Sequence, residues 1–258
     1  MQTVADIKQR LDAADAEELA VLERSLVADT RKGVRSALEV AKRRLEAIAT
    51  ESARLAGMYS FQAELASGAL LVGLDEVGRG PVAGPLTVGA VVLPENPQIE
   101  GLNDSKQVSP QHREEMAEQI KELALAWTVQ HVEPEALDAA GMTASLRYAF
   151  IKAIKAIEDQ GVKPEVILLD GNPMRLDPRE ISVVKGDGRC ASIAAASIVA
   201  KVTRDALMCE YAKQYPVYGF ESCKGYASKE HIEAIKQYGL SPIHRVSFCT
   251  AFTQESLF

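Results

Sequence analysis

Leu70-Leu71-Val72-Gly73-Leu74-Asp75-Glu76-Val77-Gly78-Arg79-Gly80 opens as a short apolar run and closes in two adjacent carboxylates and a glycine-flanked arginine. The run from Leu70 to Leu74 suits a buried strand of an α/β sheet. The two acids are then expected where that strand ends. Neighbouring residues on a strand point to opposite faces, so joint use of Asp75 and Glu76 by one metal cluster requires the chain to turn at Glu76. Gly78 and Gly80 supply backbone freedom for that turn. The stretch reads as a cation site built beside a reader of phosphate or sugar.

From about Gly68 onward the chain alternates between strand-like and helix-like segments, the signature of an α/β domain. Thr87 to Leu93 is expected to pair with the first strand, followed by a helix over Pro110 to Leu125 and a third strand over Trp127 to Val132. Met142 to Gln160 reads as a long helix ended by Gly161 and Pro164. Glu165-Val166-Ile167-Leu168-Leu169 is a second buried strand, and it delivers Asp170 as the first delivers Asp75. Ile181 to Val184 forms another short strand, leading into Lys185-Gly186-Asp187-Gly188. An alanine-rich helix over Ser192 to Lys213 follows, with Ile193, Ile198, Val199, Val202 and Leu207 on its expected core face.

Residues 1–60 differ in character. The first proline is Pro81, and only Gly33 and Gly57 precede Gly68, so helix breakers are scarce. Ile7, Leu11, Leu19, Leu22 and Leu26 predict one amphipathic segment, and Val34, Leu38, Ala41, Leu45 and Ile48 a second, joined by a turn over residues 29–33. The expected organisation is a helical hairpin over 1–60 and a catalytic domain over 68–258 that ends in a helical region. Arg31, Lys32, Arg35, Lys42, Arg43 and Arg44 cluster near the second segment, and a solvated face accounts for such a run without a ligand.

Bulk properties exclude several classes. With 258 residues, 47% of them hydrophobic, the chain can bury a full core and carry an accessory domain. No stretch approaches the roughly 20 apolar residues of a membrane helix, and Met1 to Arg10 lacks a secretory core, so a cytoplasmic protein is expected. Cys190, Cys209, Cys223 and Cys249 form no Cys-x-x-Cys pair, which argues for reduced thiols over a zinc or redox motif. A net charge of −7 argues against coating nucleic acid by bulk attraction but leaves room for a local basic groove.

Asp75, Glu76, Asp170 and Asp187 each stand near the end of an apolar strand with glycine close by. Any one of them alone reads as a turn or cap residue, but four together make a constellation. Oxygen ligands of this kind select Mg²⁺ or Mn²⁺. Two such ions about 3.5–4 Å apart activate a water and stabilise the departing oxygen in phosphodiester cleavage. A glycosidase-like acid–base pair is the rival chemistry, and the adjacency of Asp75 and Glu76 favours shared metal binding over two opposed roles.

These stretches occur together with Leu102-Asn103-Asp104-Ser105-Lys106, Asp170-Gly171-Asn172, Lys185-Gly186-Asp187, Ser192 through Asp205, Lys224-Gly225-Tyr226 and His244-Arg245-x-Ser247-Phe248. In this order, over roughly residues 68–250, the chain resembles the bacterial type 2 ribonucleases H, the ribonuclease HII family. The resemblance implies a ribonuclease H-like fold, a mixed sheet flanked by helices. It implies cleavage of RNA in RNA-DNA hybrids, and at single ribonucleotides in duplex DNA, on the 5′ side of the ribonucleotide, leaving a 3′-hydroxyl and a 5′-phosphate. Asp75, Glu76, Asp170 and Asp187 match the family's four acids, with two Mn²⁺ or Mg²⁺ ions as cofactor. Asp75 is the expected shared ligand, and Asp187 has the weakest claim to direct ligation.

The 2′-hydroxyl is the direct handle for telling RNA from DNA. Backbone groups of Gly78 and Gly80 are expected to flank the ribose while Arg79 engages a neighbouring phosphate. Tyr226, beside Gly225, matches the family tyrosine that senses the RNA-to-DNA junction by stacking. Cys223 departs from the polar residue usual before the lysine. Lys106, and Ser197 with Lys201 on one helix face, are candidate phosphate contacts; Lys201 can equally pair with Asp205 at i+4. Arg204 is open in the same way. His112, His131 and His231 show no ligand spacing, and His244 matches a family motif without a chemical role, so none is assigned catalysis. A monomer acting in ribonucleotide excision repair is expected. Two alternatives remain at this level. Type 3 ribonucleases H carry a β-rich N-terminal domain, which the helical reading of residues 1–60 disfavours. A non-catalytic hybrid-binding module would be favoured by loss of an acid, and all four are present.

Overall fold

The computed structural model describes residues 2–253, and the chain divides after Ala56 into two compact units.

The first unit is built from α1 (Val4–Ala13), α2 (Ala16–Leu26) and the beginning of α3 (Lys32–Ala66). The single segment expected from Ile7 to Leu26 is thus two helices. Ala14 is extended, and Asp15 restarts the chain with a capping box: its carboxylate accepts from the Glu18 amide at 2.8 Å, and Glu18 accepts from the Asp15 amide at 3.2 Å. Ile7, Leu11, Leu19, Leu22, Val34 and Ala41 form the core of this unit. Ile48, expected on the buried face, is exposed. Part of the basic cluster is engaged internally. Arg31 pairs with Asp29, Lys42 with Glu23, and Arg44 donates to the Leu11 and Ala14 carbonyls.

The second unit holds a five-stranded sheet in the order β3-β2-β1-β4-β5. Its strands are β1 (Leu71–Val77), β2 (Leu86–Val92), β3 (Ala126–Val132), β4 (Val166–Asp170) and β5 (Glu180–Val183). β1 runs antiparallel to β2 and parallel to β4, so the sheet is mixed, as expected. Around it lie α4 (Pro110–Leu123), α5 (Pro134–Ala140), α6 (Met142–Glu158) and α7 (Ala191–Gln214), then the short C-terminal helices α8 (Phe220–Cys223), α9 (Lys229–Tyr238) and α10 (Val246–Thr253). Sequence periodicity missed α5, whose limits are set by Pro134 in its first turn and Gly141 at its end. Among the described residues no helix is long and apolar enough to cross a membrane.

Strand alternation assigns the two faces. Val72, Leu74, Ile167 and Leu169 pack with Phe150, Ile154 and Ile157 of α6. The opposite face carries Gly73 and Gly89, where α7 lies so close that a Cβ on Gly73 would sit 2.2 Å from the Ser192 carbonyl carbon and one on Gly89 2.3 Å from the Ala196 oxygen. Because α7 is pressed onto the sheet, it is buried on all sides from Ala191 to Ala200. The narrow stripe expected for it is therefore absent, and Val202 and Leu207 are only half-buried.

Candidate active site

Asp75 and Glu76 lie inside β1, opposite Gly89 and Val88 of β2. The expected turn at Glu76 does not occur; the strand continues to Val77 because β2 supplies a full antiparallel partner there. Convergence of the acids comes from sheet register. Leu74 is level with Leu169 across the parallel pair, so one residue further on Asp75 and Asp170 stand side by side on the α7 face. Asp170 accepts a hydrogen bond from the Gly186 amide at 2.6 Å, which draws the Lys185-Gly186-Asp187 turn towards the same place.

The carboxyls act on one another. Burial pushes the Asp75 carboxyl well above the usual carboxylate range, and Glu76 and Asp170 push it further. Glu76 is raised chiefly by burial, against the pull of Arg79. Asp187 is raised by burial and by Asp104 and Asp170, against the pull of Lys106. Buried carboxylates that repel one another are a natural sink for a cation. Among the described residues no three His, Cys, Asp or Glu side chains are drawn tightly enough to clasp an ion as they stand. Each carboxyl instead leans on a protein donor: Asp75 on the Glu76 amide at 2.7 Å, Glu76 on Arg79 at 3.0 Å, and Asp187 on Lys106 at 3.4 Å. The donor set is all hard oxygen and carries the negative charge that Mg²⁺ or Mn²⁺ neutralises, so it fits such an ion in chemistry.

The glycine-flanked arginine follows directly. Gly78 has φ of +90°, and a Cβ there would meet Arg204 Nε at 2.5 Å and the Pro85 oxygen at 2.8 Å. The absence of a side chain at Gly78 thus serves a turn packed on a buried arginine. Gly80 faces the Tyr226 ring, whose nearest carbon would lie 3.7 Å from an added Cβ. Tyr226 and the Arg79 side chain are both well exposed. Gly78-Arg79-Gly80 and Tyr226 therefore border one surface next to the carboxylates.

Sequence reasoning overlooked what holds that surface. Arg204 and Arg245 are both fully buried. Arg204 donates to the carbonyls of Pro85, Lys224 and Ala83 at 3.0, 2.9 and 3.1 Å. Arg245 donates to Gly84 at 2.9 Å and Arg79 at 3.2 Å. The two arginines thereby tie the 79–85 loop to the segment around Lys224. In the sequence Arg204 stood only as an ambiguous helix residue, and Arg245 only as a member of the His244-Arg245-x-Ser247-Phe248 stretch.

The remaining candidates have definite places. Lys106 is largely exposed and reaches both Asp104 and Asp187, at 3.6 and 3.4 Å; burial lowers its pKa, but these two carboxylates and Asp75 outweigh that and leave it raised. Ser197 is buried between Ser105, 2.9 Å away, and the Asp75 carboxyl. Lys201 is paired with Asp205 at 2.9 Å. Lys224 Nζ lies 2.9 Å from Cys209 Sγ, while the Cys223 thiol turns to the Tyr218 carbonyl at 3.6 Å. His112 lies beside Glu115 and His131 bonds Thr87.

A mixed sheet with acids level on its adjacent parallel strands β1 and β4, and a third acid drawn in by the turn after β5, defines the ribonuclease H-like class. Comparison with known proteins narrows the class. The family model described as Ribonuclease HII matches residues 72–251, and that of the Ribonuclease HII N-terminal domain matches residues 3–66. The chain belongs to the ribonuclease HII family. A Ribonuclease HII of Bacillus licheniformis is 38% identical over 255 residues, 98% of each chain. Among solved structures, the PCNA:RNase HII complex from Archaeoglobus fulgidus superposes with a TM-score of 0.61 at 28% identity, covering 73% of this chain and 98% of that one. Bst-RNase HIII in complex with Mn²⁺ gives a TM-score of 0.55 at 22% identity, covering 68% of this chain and 63% of that one, a likeness of fold. The protein is thus an endoribonuclease of the H type, a divalent-metal-dependent hydrolase of the RNA strand in RNA-DNA hybrids.

Proposed function

We propose that this enzyme also nicks duplex DNA at a single embedded ribonucleotide, on its 5′ side, leaving a 3′-hydroxyl and a 5′-phosphate. Asp75, Glu76 and Asp170 are the residues that would hold two Mg²⁺ or Mn²⁺ ions, with Asp187 completing the acidic set; when bound, the ions supply an activated water and neutralise the departing oxygen. The protein's own part is selection and orientation. Backbone groups of Gly78 and Gly80 approach the 2′-hydroxyl, Arg79 engages the adjoining phosphate, and Tyr226 stacks on the deoxynucleotide that follows. Lys106, and Lys201 released from Asp205, contact the strand backbone, while Ser197 holds the Asp75 carboxyl from beneath. A monomer acting in the cytoplasm, in removal of ribonucleotides from DNA, suits this chemistry.

One observation carries the reading: an exposed aromatic ring lies against Gly80, so a probe of the sugar and a platform for the next residue share one surface beside the acids. The test compares cleavage of a duplex carrying one ribonucleotide with cleavage of a uniform RNA-DNA hybrid, in Mg²⁺ and in Mn²⁺. Arg79→Ala and Tyr226→Ala should erode preference for the single ribonucleotide while both proteins stay folded. Unchanged preference in both variants would show that substrate is read elsewhere.

A further inference from the structure

We propose that His231 and His244 form a positioning pair that fixes the stance of Tyr226, and so sets selectivity for a ribonucleotide followed by DNA. The proposal rests on the reading of Tyr226 given above. His231 Nδ1 lies 2.7 Å from the Tyr226 carbonyl oxygen, His231 Nε2 lies 3.0 Å from His244 Nε2, and His244 Nδ1 lies 2.9 Å from the Ser241 amide nitrogen and 2.8 Å from its hydroxyl. Both rings are buried.

These contacts allow one arrangement of protons. A carbonyl only accepts, so His231 Nδ1 carries a hydrogen and its Nε2 is bare in the neutral ring. His244 Nε2 must then donate to it. That leaves His244 Nδ1 bare, and the Ser241 amide and hydroxyl both donate there. Each polar atom of the two rings is satisfied, and neither ring can flip its tautomer without opposing two donors or two acceptors.

The pair is gripped from outside as well. Tyr218 meets His244 edge-on with ring centroids 4.8 Å apart, and Phe220 meets His231 at 5.2 Å. Two apolar residues would fill the same space without the cost of burying polar atoms; what imidazoles add is a single permitted geometry. The far end is anchored where the other reader is held. His244 bridges to Ala83 in the loop after Gly80, and its neighbour Arg245 donates to the Arg79 carbonyl at 3.2 Å. Adjacent residues therefore reach the two readers: His244 through His231 to the backbone of Tyr226, and Arg245 directly to Arg79. Tyr226 has its side chain half in solvent, so its backbone must supply the order that its ring lacks.

The test uses the full-length enzyme and measures kcat and KM on both substrates for Tyr226→Ala, His231→Asn, His231→Gln and the double variant His231→Gln/Tyr226→Ala, with Tm for each. An asparagine amide takes the place of Nδ1 and can still donate to the Tyr226 carbonyl; a glutamine amide sits where Nε2 was and cannot. His231→Gln should lower the selectivity ratio about five- to tenfold, the worth of one such hydrogen bond. His231→Asn should stay within about twofold of wild type by the same reasoning, and His231→Gln should add no further loss in the Tyr226→Ala background. ¹⁵N imidazole shifts should report hydrogen on His231 Nδ1 and His244 Nε2; the opposite tautomers would overturn the pair. So would a His231→Gln enzyme that keeps its selectivity while Tyr226→Ala loses it, or Asn and Gln variants that lose it alike. If Tyr226→Ala itself keeps selectivity, the reader has been misassigned and the proposal falls with it.

Discussion

Replacing Arg204 by methionine tests the way the 79–85 loop and the segment around Lys224 are held. The guanidinium is fully buried, burial pushes its pKa down, and it donates to the carbonyls of Ala83, Pro85 and Lys224. Methionine fills most of the space, so the cavity cost is small and the three carbonyls decide the outcome. Leaving a buried acceptor unmet costs about 1–3 kcal/mol, hence about 3–9 kcal/mol for three. Relief from burying a charge offsets several kcal/mol of that, and the net expectation is a loss of about 3 kcal/mol. Total stabilities are of order 5–15 kcal/mol, so such a loss is readily seen. The chain's single tryptophan is Trp127 in β3, so urea unfolding followed by its fluorescence reports on the second unit alone. With a slope of about 2–3 kcal/mol per M, the midpoint should fall by about 1 M. A midpoint within about 0.2 M of wild type, a change under about 0.5 kcal/mol, would mean that the carbonyls find other donors and that Arg204 does not hold the loops.

Three further outcomes follow from the same contacts. Burial and the neighbouring His231 hold His244 down to about 4, against about 6.5 for a free imidazole. Between these values the unfolded chain takes up a proton that the folded chain refuses, so stability should fall as pH drops through this window, by about 2 kcal/mol after allowance for screening. Urea midpoints from pH 7 to pH 5 measure this, and His244→Asn should flatten the slope; an equal slope in the variant would remove His244 as its source. Asp75→Asn takes a charge out of a buried, repulsive cluster, so the metal-free protein should melt higher while turnover disappears. A lower Tm would show that the Asp75 carboxylate is held by favourable contacts instead. Gly89→Ala would drive a methyl to 2.3 Å from the Ala196 oxygen, and should cost about 1–3 kcal/mol or more as α7 is pushed off the sheet; a neutral result would mean that the helix shifts freely.

How much could be read from residues alone varied with the kind of signal. Apolar strands ending in acids were legible because strand burial and the period of two act locally. Pairing register is not local, so Leu74 level with Leu169, which aligns Asp75 and Asp170, was invisible, as was the continuation of β1 through Glu76 opposite β2. The break at Ala14 was missed because no glycine or proline marks it, yet Asp15 and Glu18 form a capping box that was there to be read. Lys201 illustrates a genuine ambiguity: its spacing allowed phosphate contact or a pair with Asp205, and the structure holds the pair. Arg204, His231, His244 and Arg245 were visible as residues, but the contacts they make were not. Most of their partners are backbone groups or, for the histidine pair, a ring 13 positions away in sequence, and hydrogen bonds to the backbone leave no trace in residue type.

The most direct test of the central claim is the chemistry of the cut ends. A duplex with one embedded ribonucleotide, incubated with the enzyme and Mg²⁺ or Mn²⁺, should yield by mass spectrometry a 3′-hydroxyl fragment and a fragment beginning with the 5′-phosphorylated ribonucleotide, and Asp75→Asn should yield neither. Cleavage on the 3′ side with a 2′,3′-cyclic phosphate, or equal cleavage after Asp75→Asn, would contradict an acid-held metal site that directs water at the phosphorus and reads the ribose from beside it.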